Sequence, residues 1–286
     1  MWLLDALVQG ILLGGLYALF ATGLSLIFGV MRLVNIAHGD FIVLGAYLAM
    51  VTIQMTGLHP FLSLLIVVPL MALAGYVIQR GLLNRTLGAN LLPPILVTFG
   101  LAVVIQNSLM LGFSTDTQRL AAGPIETASL SVGSISIGLL PLLTFAVAVA
   151  IIFGLEQIFF RTAIGRAFRA TSDDPETARA MGVNTRHVQG LAMAICFTVI
   201  AIAGVFLAVR SNFDPFSGPA RLIYGFEAVI IGGLGNLWGT LAGGVVLGVA
   251  QALGAQISPS FQILAGHLVF FLILAVRPRG LFPRMD

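Results

Sequence analysis

Apolar stretches, each close to the length of a membrane crossing, alternate along this chain with short polar breaks. Crossing about 30 Å of hydrocarbon takes roughly 20 helical residues at 1.5 Å each. Runs that qualify lie near residues 6–28, 39–56, 61–79, 94–113, 136–158 and 188–209. A long apolar region at 222–256 follows, then a final run at 260–276. No ten-residue alternating barrel pattern occurs, and lipid cannot satisfy open backbone groups, so the spans read as helices. The pattern predicts an all-α, polytopic transmembrane helical bundle of about eight or nine spans, with residues 1–286 forming a single domain.

Two places break the regularity. Gly232-Gly233-Leu234-Gly235-Asn236 puts too much glycine into the 222–256 region for an undisturbed helix interior. The stretch from Leu222 to Ile231 before it is too short to span, so the region predicts a broken pair of half-helices meeting inside the membrane. Gly29 to Asp40 is its candidate counterpart, with polar residues between two apolar runs.

Composition fixes the solvent. Only 9% of the 286 residues are charged, against 58% hydrophobic, with a mean hydropathy of +1.04. A soluble domain carries roughly 25% charged residues, so lipid must surround most side chains. All the basic residues are arginine. A Walker A phosphate loop needs a lysine, so any ATP that drives this chain is bound by another subunit. Cys196 is alone, which excludes an intrachain disulfide. Residues Met1 to Asp5 lack the positive start of a signal peptide, and the following apolar run is too long for a cleavable core, so it reads as a retained span.

Arginine placement then orients the bundle. Arg80 and Arg85 share one loop; Arg161, Arg166, Arg169, Arg179 and Arg186 share the longest polar segment; Arg277, Arg279 and Arg284 form the tail. With those regions cytoplasmic, the loops at 114–135 and 210–221 face outside, where Asp116, Glu126 and Asp214 offset Arg119, Arg210 and Arg221. The amino terminus is then expected outside and the carboxyl terminus inside.

Within the polar segment 161–187, the run from Asp174 to Gly182 reads as a short helix of its own. Asp174 can cap the first free amides, Pro175 suits the first helical position, and Glu176 complements the positive end of the dipole. Thr177 and Ala178 follow, and Gly182 stands where a left-handed terminating residue belongs. The spacing predicts Pro175, Ala178 and Met181 on one face. Such a stub cannot bury a core, so a docking surface for a partner is one reading and a solvated loop with an incidental turn is the other.

Small residues mark a second pattern. Gly235, Gly239 and Gly243 recur every fourth residue, continued by Gly244 and Gly248, while Gly10 and Gly14 lead a similar stripe to Ala18 and Thr22. This spacing lets helix backbones approach closely; packing within the chain and dimerisation are both open. Asn35, His38, Asp40, Glu227 and Asn236 are polar residues in apolar surroundings and are candidates to line a translocation path. For His38 and Asp40 a metal site or proton relay competes with capping at the break, and a metal would want three or four ligands. Glu227 could face a cavity or pair with an arginine such as Arg221.

The run from Gly23 to Asp40, containing Asn35-Ile36-Ala37-His38-Gly39-Asp40, resembles the N-terminal signature of branched-chain amino acid ABC transporter permeases, and within them the H-type subunit of the Liv system. Gly232 to Thr240 resembles the same family's C-terminal glycine signature, and Asp174 to Asn184 its cytoplasmic coupling region. The blocks span nearly the whole chain in family order. The resemblance implies a permease domain of an ATP-driven importer in the inner membrane, paired with a second, related permease. It further implies two ABC ATPases that bind ATP and magnesium, and a periplasmic substrate-binding protein. Pro175 to Gly182 would then sit in a cleft of one ATPase. This chain itself is expected to be no enzyme, to hold no cofactor and to bind no nucleic acid. Permeases for urea or short amides share these signatures, and an ion-gradient-driven secondary transporter is the remaining alternative. No paired aspartates, His-Glu-x-x-His or Gly-x-Ser-x-Gly elbow in the spans supports intramembrane catalysis.

Overall fold

The computed structural model describes residues 2–87, 92–132 and 135–282; Arg284 of the basic tail lies outside them. Eleven α-helices follow one another among these residues: α1 (Trp2–Met31), α2 (His38–Thr56), α3 (Leu64–Gly81), α4 (Leu92–Phe113), α5 (Leu139–Arg161), α6 (Ala163–Asp173), α7 (Pro175–Ala180), α8 (Thr185–Arg210), α9 (Gly218–Gly232), α10 (Leu237–Ile257) and α11 (Phe261–Val276). Seven of these segments are long and apolar enough to cross a membrane, and α11 is a shorter apolar helix. The fold is a nearly all-α polytopic bundle. A small antiparallel hairpin, β1 (Ser129–Val132) with β2 (Ile135–Gly138), precedes α5 and was not foreseen.

The 222–256 region differs from expectation. The break is there, at residues 233–236 between α9 and α10. However, α10 has 21 residues and is a full-length span, so only its predecessor is short. At 15 residues, α9 extends about 22 Å, less than the hydrocarbon thickness.

α1 is the axis of the bundle, touching α5, α8, α9 and α10, and 83% of its apolar window is buried against 17% in α4. Both helices are apolar on all sides. What distinguishes them is the neighbour, which for α1 is other helices and for α4 is the lipid-facing perimeter. The two glycine stripes meet. A Cβ added at Gly10 would lie 2.6 Å from Val249 Cα, and one at Gly14 would lie 2.5 Å from Val245 Cα. Gly244 and Gly248 present the reciprocal surface to Ala18, Gly10 and Gly14, and Gly29 lies beside Gly235, so α1 and α10 run antiparallel. The other face of α10 serves α9, with Gly239 against Gly232 and Gly243 against Ala228. In lipid no hydrophobic drive holds helices together, so backbone-to-backbone dispersion contact takes its place.

The arginine-bearing segments gather at one end. Ser172 of α6 donates to the Gly29 carbonyl at 2.6 Å, and Asn84 to the Arg186 carbonyl at 3.3 Å. The tail joins the same end, with Leu281 N–H donating to Ile231 and Phe282 N–H to Gly232. At the opposite end the loops around 118 and 213 pair as a bridge, with N···O distances of 2.8 and 3.0 Å. There Arg119 and Glu126 form an ion pair at 2.9 Å.

Candidate functional site

The segment between α5 and α8 is two helices, where the sequence reading expected one. α6 buries Gly165, Phe168 and Thr171 at helical spacing among arginines, an amphipathic signal that the overall polarity of the segment hid. Its Phe168 is fully buried, 5.3 Å from the Phe159 ring. Thr162 caps α6, its hydroxyl accepting from Gly165 N–H at 3.0 Å. Arg169 donates back to the Phe159 carbonyl and lies over the Phe160 ring, 5.4 Å from its centroid.

α7 stands on this base. The Asp174 carboxylate accepts from the amides of Glu176 and Thr177 at 2.9 and 3.1 Å and from the Thr177 hydroxyl at 2.5 Å. That hydroxyl, then the two amides, holds the Asp174 carboxyl below the usual carboxylate range. Pro175 takes the first helical position, where its missing N–H is no loss. Gly182 has φ +87, the left-handed region that an L side chain resists. Arg179 Nε donates to the Thr185 hydroxyl at 2.9 Å, tying α7 to the start of α8. One expectation needs correcting. Pro175, Ala178 and Met181 do not share an exposed face, because Ala178 turns inward and is 5% exposed while Met181, at the C-cap, is 80% exposed. A six-residue helix with one end lashed to α8 has to bury something against its support, and the small residue is what fits.

The polar candidates within the bundle do not converge on one point. Asn35 accepts from Ala37 N–H at 3.1 Å, shaping the turn into α2. His38 Nε2 bonds the Phe20 carbonyl of α1 at 2.8 Å, whereas Asp40 accepts from Gln106 of α4 at 2.8 Å and lies against Gly218 of α9. His38 and Asp40 therefore face different helices and share no ligand position. Among the described residues no group of three or more His, Cys, Asp or Glu could hold a metal. Asn236 caps α10, accepting from Gly239 N–H at 2.9 Å while its amide donates to the Phe282 carbonyl at 3.0 Å. Gly235 beside it has φ +79. Glu227, 4% exposed, pairs with His267 of α11 and not with Arg221. No sequence signal links residues 40 apart on separate helices; only the packing of α9 against α11 brings them together.

A cavity of about 580 Å³ opens at the α7 end, lined among others by Ser25, Gly29, Glu156, Arg169, Trp238 and Phe282. Trp238 Nε1 donates to Glu156 at 2.7 Å across its rim. The break before α10, at Gly235-Asn236, and Gly29 near the end of α1 border it.

Residues 6–277 match the family described as branched-chain amino acid transport system / permease component. The chain is 30% identical, over 99% of its length and 96% of the other, to the high-affinity branched-chain amino acid transport system permease protein BraD of Pseudomonas aeruginosa. It is 27% identical to the corresponding LivH protein of Salmonella typhimurium, over 100% of this chain and 97% of that one. With LivH of Escherichia coli the identity is 26% over the same shares. No solved structure matches the chain. A bundle of apolar helices, with one break opening on a cavity at the end that carries a capped surface stub, thus coincides with a family match over residues 6–277, and the chain belongs to the branched-chain amino acid transport system permease family.

Proposed function

We propose that this chain is the membrane-spanning permease of an ATP-driven importer for branched-chain or related amino acids. It works with a second permease, two cytoplasmic ATPases that bind ATP and magnesium, and an external binding protein. It carries no catalytic group of its own. The relatives named above are permeases of branched-chain amino acid systems, which supports this ligand class over urea or short amides. The α7 end faces the cytoplasm, supported by Arg80, Arg85, Arg161, Arg166, Arg169, Arg179 and Arg186 gathering there. The amino terminus is accordingly outside and the tail inside.

The observation that carries the reading is α7 itself. It is capped at its start by Asp174, closed by Gly182 and braced by Arg179, yet it leaves Met181 80% exposed. An apolar side chain held out by that much bracing is built to enter a partner's cleft. In the importer reconstituted with its companions, Met181→Asp is expected to lower ATP-driven leucine uptake by about tenfold or more, a loss of about 1.4 kcal/mol of coupling contact. Membrane insertion should be unchanged. Normal uptake by Met181→Asp would remove the coupling role. Ala178→Asp does not test docking, because it would bury a charge. Uptake by this chain alone, indifferent to ATP and collapsed by an uncoupler, would replace the whole reading with ion-driven transport.

A further inference from the structure

The cavity at the α7 end holds polar groups that the docking role of α7 does not use. Arg169 of α6 and Glu156 of α5 both line it, and they form no ion pair with each other. Glu156 Oε2 accepts from the Trp238 indole at 2.7 Å, and its Oε1 has no partner among the described residues. The Arg169 guanidinium gives one N–H to the Phe159 carbonyl and lies over the Phe160 ring. Its other N–H donors have no partner among the described residues.

Ser25 of α1 adds a hydroxyl to the same wall. A serine or threonine inside a helix can return its hydroxyl to the carbonyl four residues back, as Thr22 does to Ala18 at 2.6 Å. Ser25 is 1% exposed, yet its hydroxyl has no hydrogen-bond partner. Buried polar atoms are nearly always paired, so a hydroxyl left open on a cavity marks a place that a bound molecule completes. At about 580 Å³ the space suits a small organic molecule and far exceeds a single water.

The signs narrow the occupant. A cation and an anion, not paired with each other, stand in one cavity whose remaining wall includes Leu26, Phe159 and Trp238. A simple anion meets repulsion from Glu156, a simple cation meets it from Arg169, and a neutral molecule answers neither charge. A zwitterion with an apolar tail answers both, through charge-assisted hydrogen bonds.

We propose that this cavity binds an amino acid with an apolar side chain on the release side of the membrane. Arg169 and Ser25 take its carboxylate, Glu156 takes its ammonium group, and Leu26, Phe159 and Trp238 face its side chain. The inference rests on the amino acid importer reading, and adds to it a site that holds the product after crossing.

Equilibrium binding of radiolabelled leucine tests it, with the permeases and ATPases assembled in phosphatidylcholine nanodiscs and the binding protein left out. Saturable binding with a Kd on the order of 1 mM is expected. Isocaproate, which lacks the ammonium group, and isoamylamine, which lacks the carboxylate, should each compete about tenfold more weakly than leucine. Arg169→Gln and Glu156→Gln are each expected to weaken binding about tenfold, and Ser25→Ala about threefold. No saturable binding up to about 10 mM, or binding unchanged in both glutamine variants, overturns the site. Equal competition by isocaproate and isoamylamine overturns it too. Binding that is lost when phosphatidylethanolamine is added to the discs assigns the cavity to a lipid head group and likewise overturns the proposal. If Arg169→Gln fails to insert, Glu156→Gln decides alone, since it keeps an oxygen for the Trp238 indole. ATP-driven leucine uptake by the unmodified importer, with its binding protein, is measured first. An importer that moves another ligand and no amino acid fails the parent reading, whereas leucine uptake without this binding fails the site alone.

Discussion

A single added methyl group separates the glycines that hold this bundle from those that merely occupy it. At Gly14 a Cβ would strike the Val245 backbone, whereas at Gly100 of α4 it would meet nothing within 4 Å. Gly14→Val is therefore expected to lower the stability of the purified chain by roughly 1–3 kcal/mol, the usual effect of overpacking a tight contact. Gly100→Ala should leave it unchanged or raise it by up to about 1 kcal/mol, since alanine loses less backbone entropy than glycine on entering a helix. Thermal unfolding in detergent compares the two directly, and equal effects would contradict the zipper of α1 on α10. The four-residue spacing disclosed the stripes. It did not disclose their partner, because spacing is a property of one helix and contact is a property of two. Glu227 teaches the same lesson at a polar position, since the sequence leaves a cavity and an arginine such as Arg221 both open and a histidine 40 residues away is the partner.

Among the elements, α7 is the most exposed to its own chemistry. Six residues cannot hold a helix in water by propensity, so the Asp174 cap and the Arg179 brace decide whether it forms. The folded Asp174 carboxyl is depressed below its unfolded value, so the cap contributes fully above about pH 4 and is lost as pH falls through the folded value. Amide exchange at Glu176 and Thr177 should then stay protected from pH 7 down to about pH 5, and Asp174→Ala should speed it throughout that range. Protection that fades between pH 7 and pH 5 would mean that another group holds the helix start. The cap residues, the proline and the terminating glycine were legible because each acts within a few residues. α6 was not legible, because its buried face is one Gly, one Phe and one Thr among arginines, and only the floor of α5 beneath it makes that face worth burying.

For the whole molecule, the decisive arrangement is the sorting of loops to two ends. Cys196 is fully buried on α8 and offers an inert background for thiol labelling. Met181→Cys is expected to react with an impermeant maleimide only from the cytoplasmic side, and Phe216→Cys, 47% exposed beside the opposite bridge, only from outside. Labelling of both from one side would break the topology. The perimeter is as apolar as the core. Leu111 is 83% exposed and Leu65 75%, as lipid or a second permease requires.

The sequence by itself determined that lipid is the solvent, where the first five long spans and α8 begin and end to within a few residues, and that one end carries the positive charge. These follow from composition, run length and neighbouring caps, which are local quantities. The tertiary structure alone decided that α10 is a full span and α9 a short one, and that the break before α10 packs against α1, with Gly235 beside Gly29. It also decided that Ala178 faces inward while Met181 faces out, and that Tyr17, Gln251, Tyr224, His267 and Glu227, from four helices, contact one another in a chain. Each of these depends on which helix lies beside which. Where spanning helices such as α1, α4 and α10 are greasy on all sides, hydrophobic pattern cannot choose the neighbours, and for α1 and α10 the close fit of glycine backbones does.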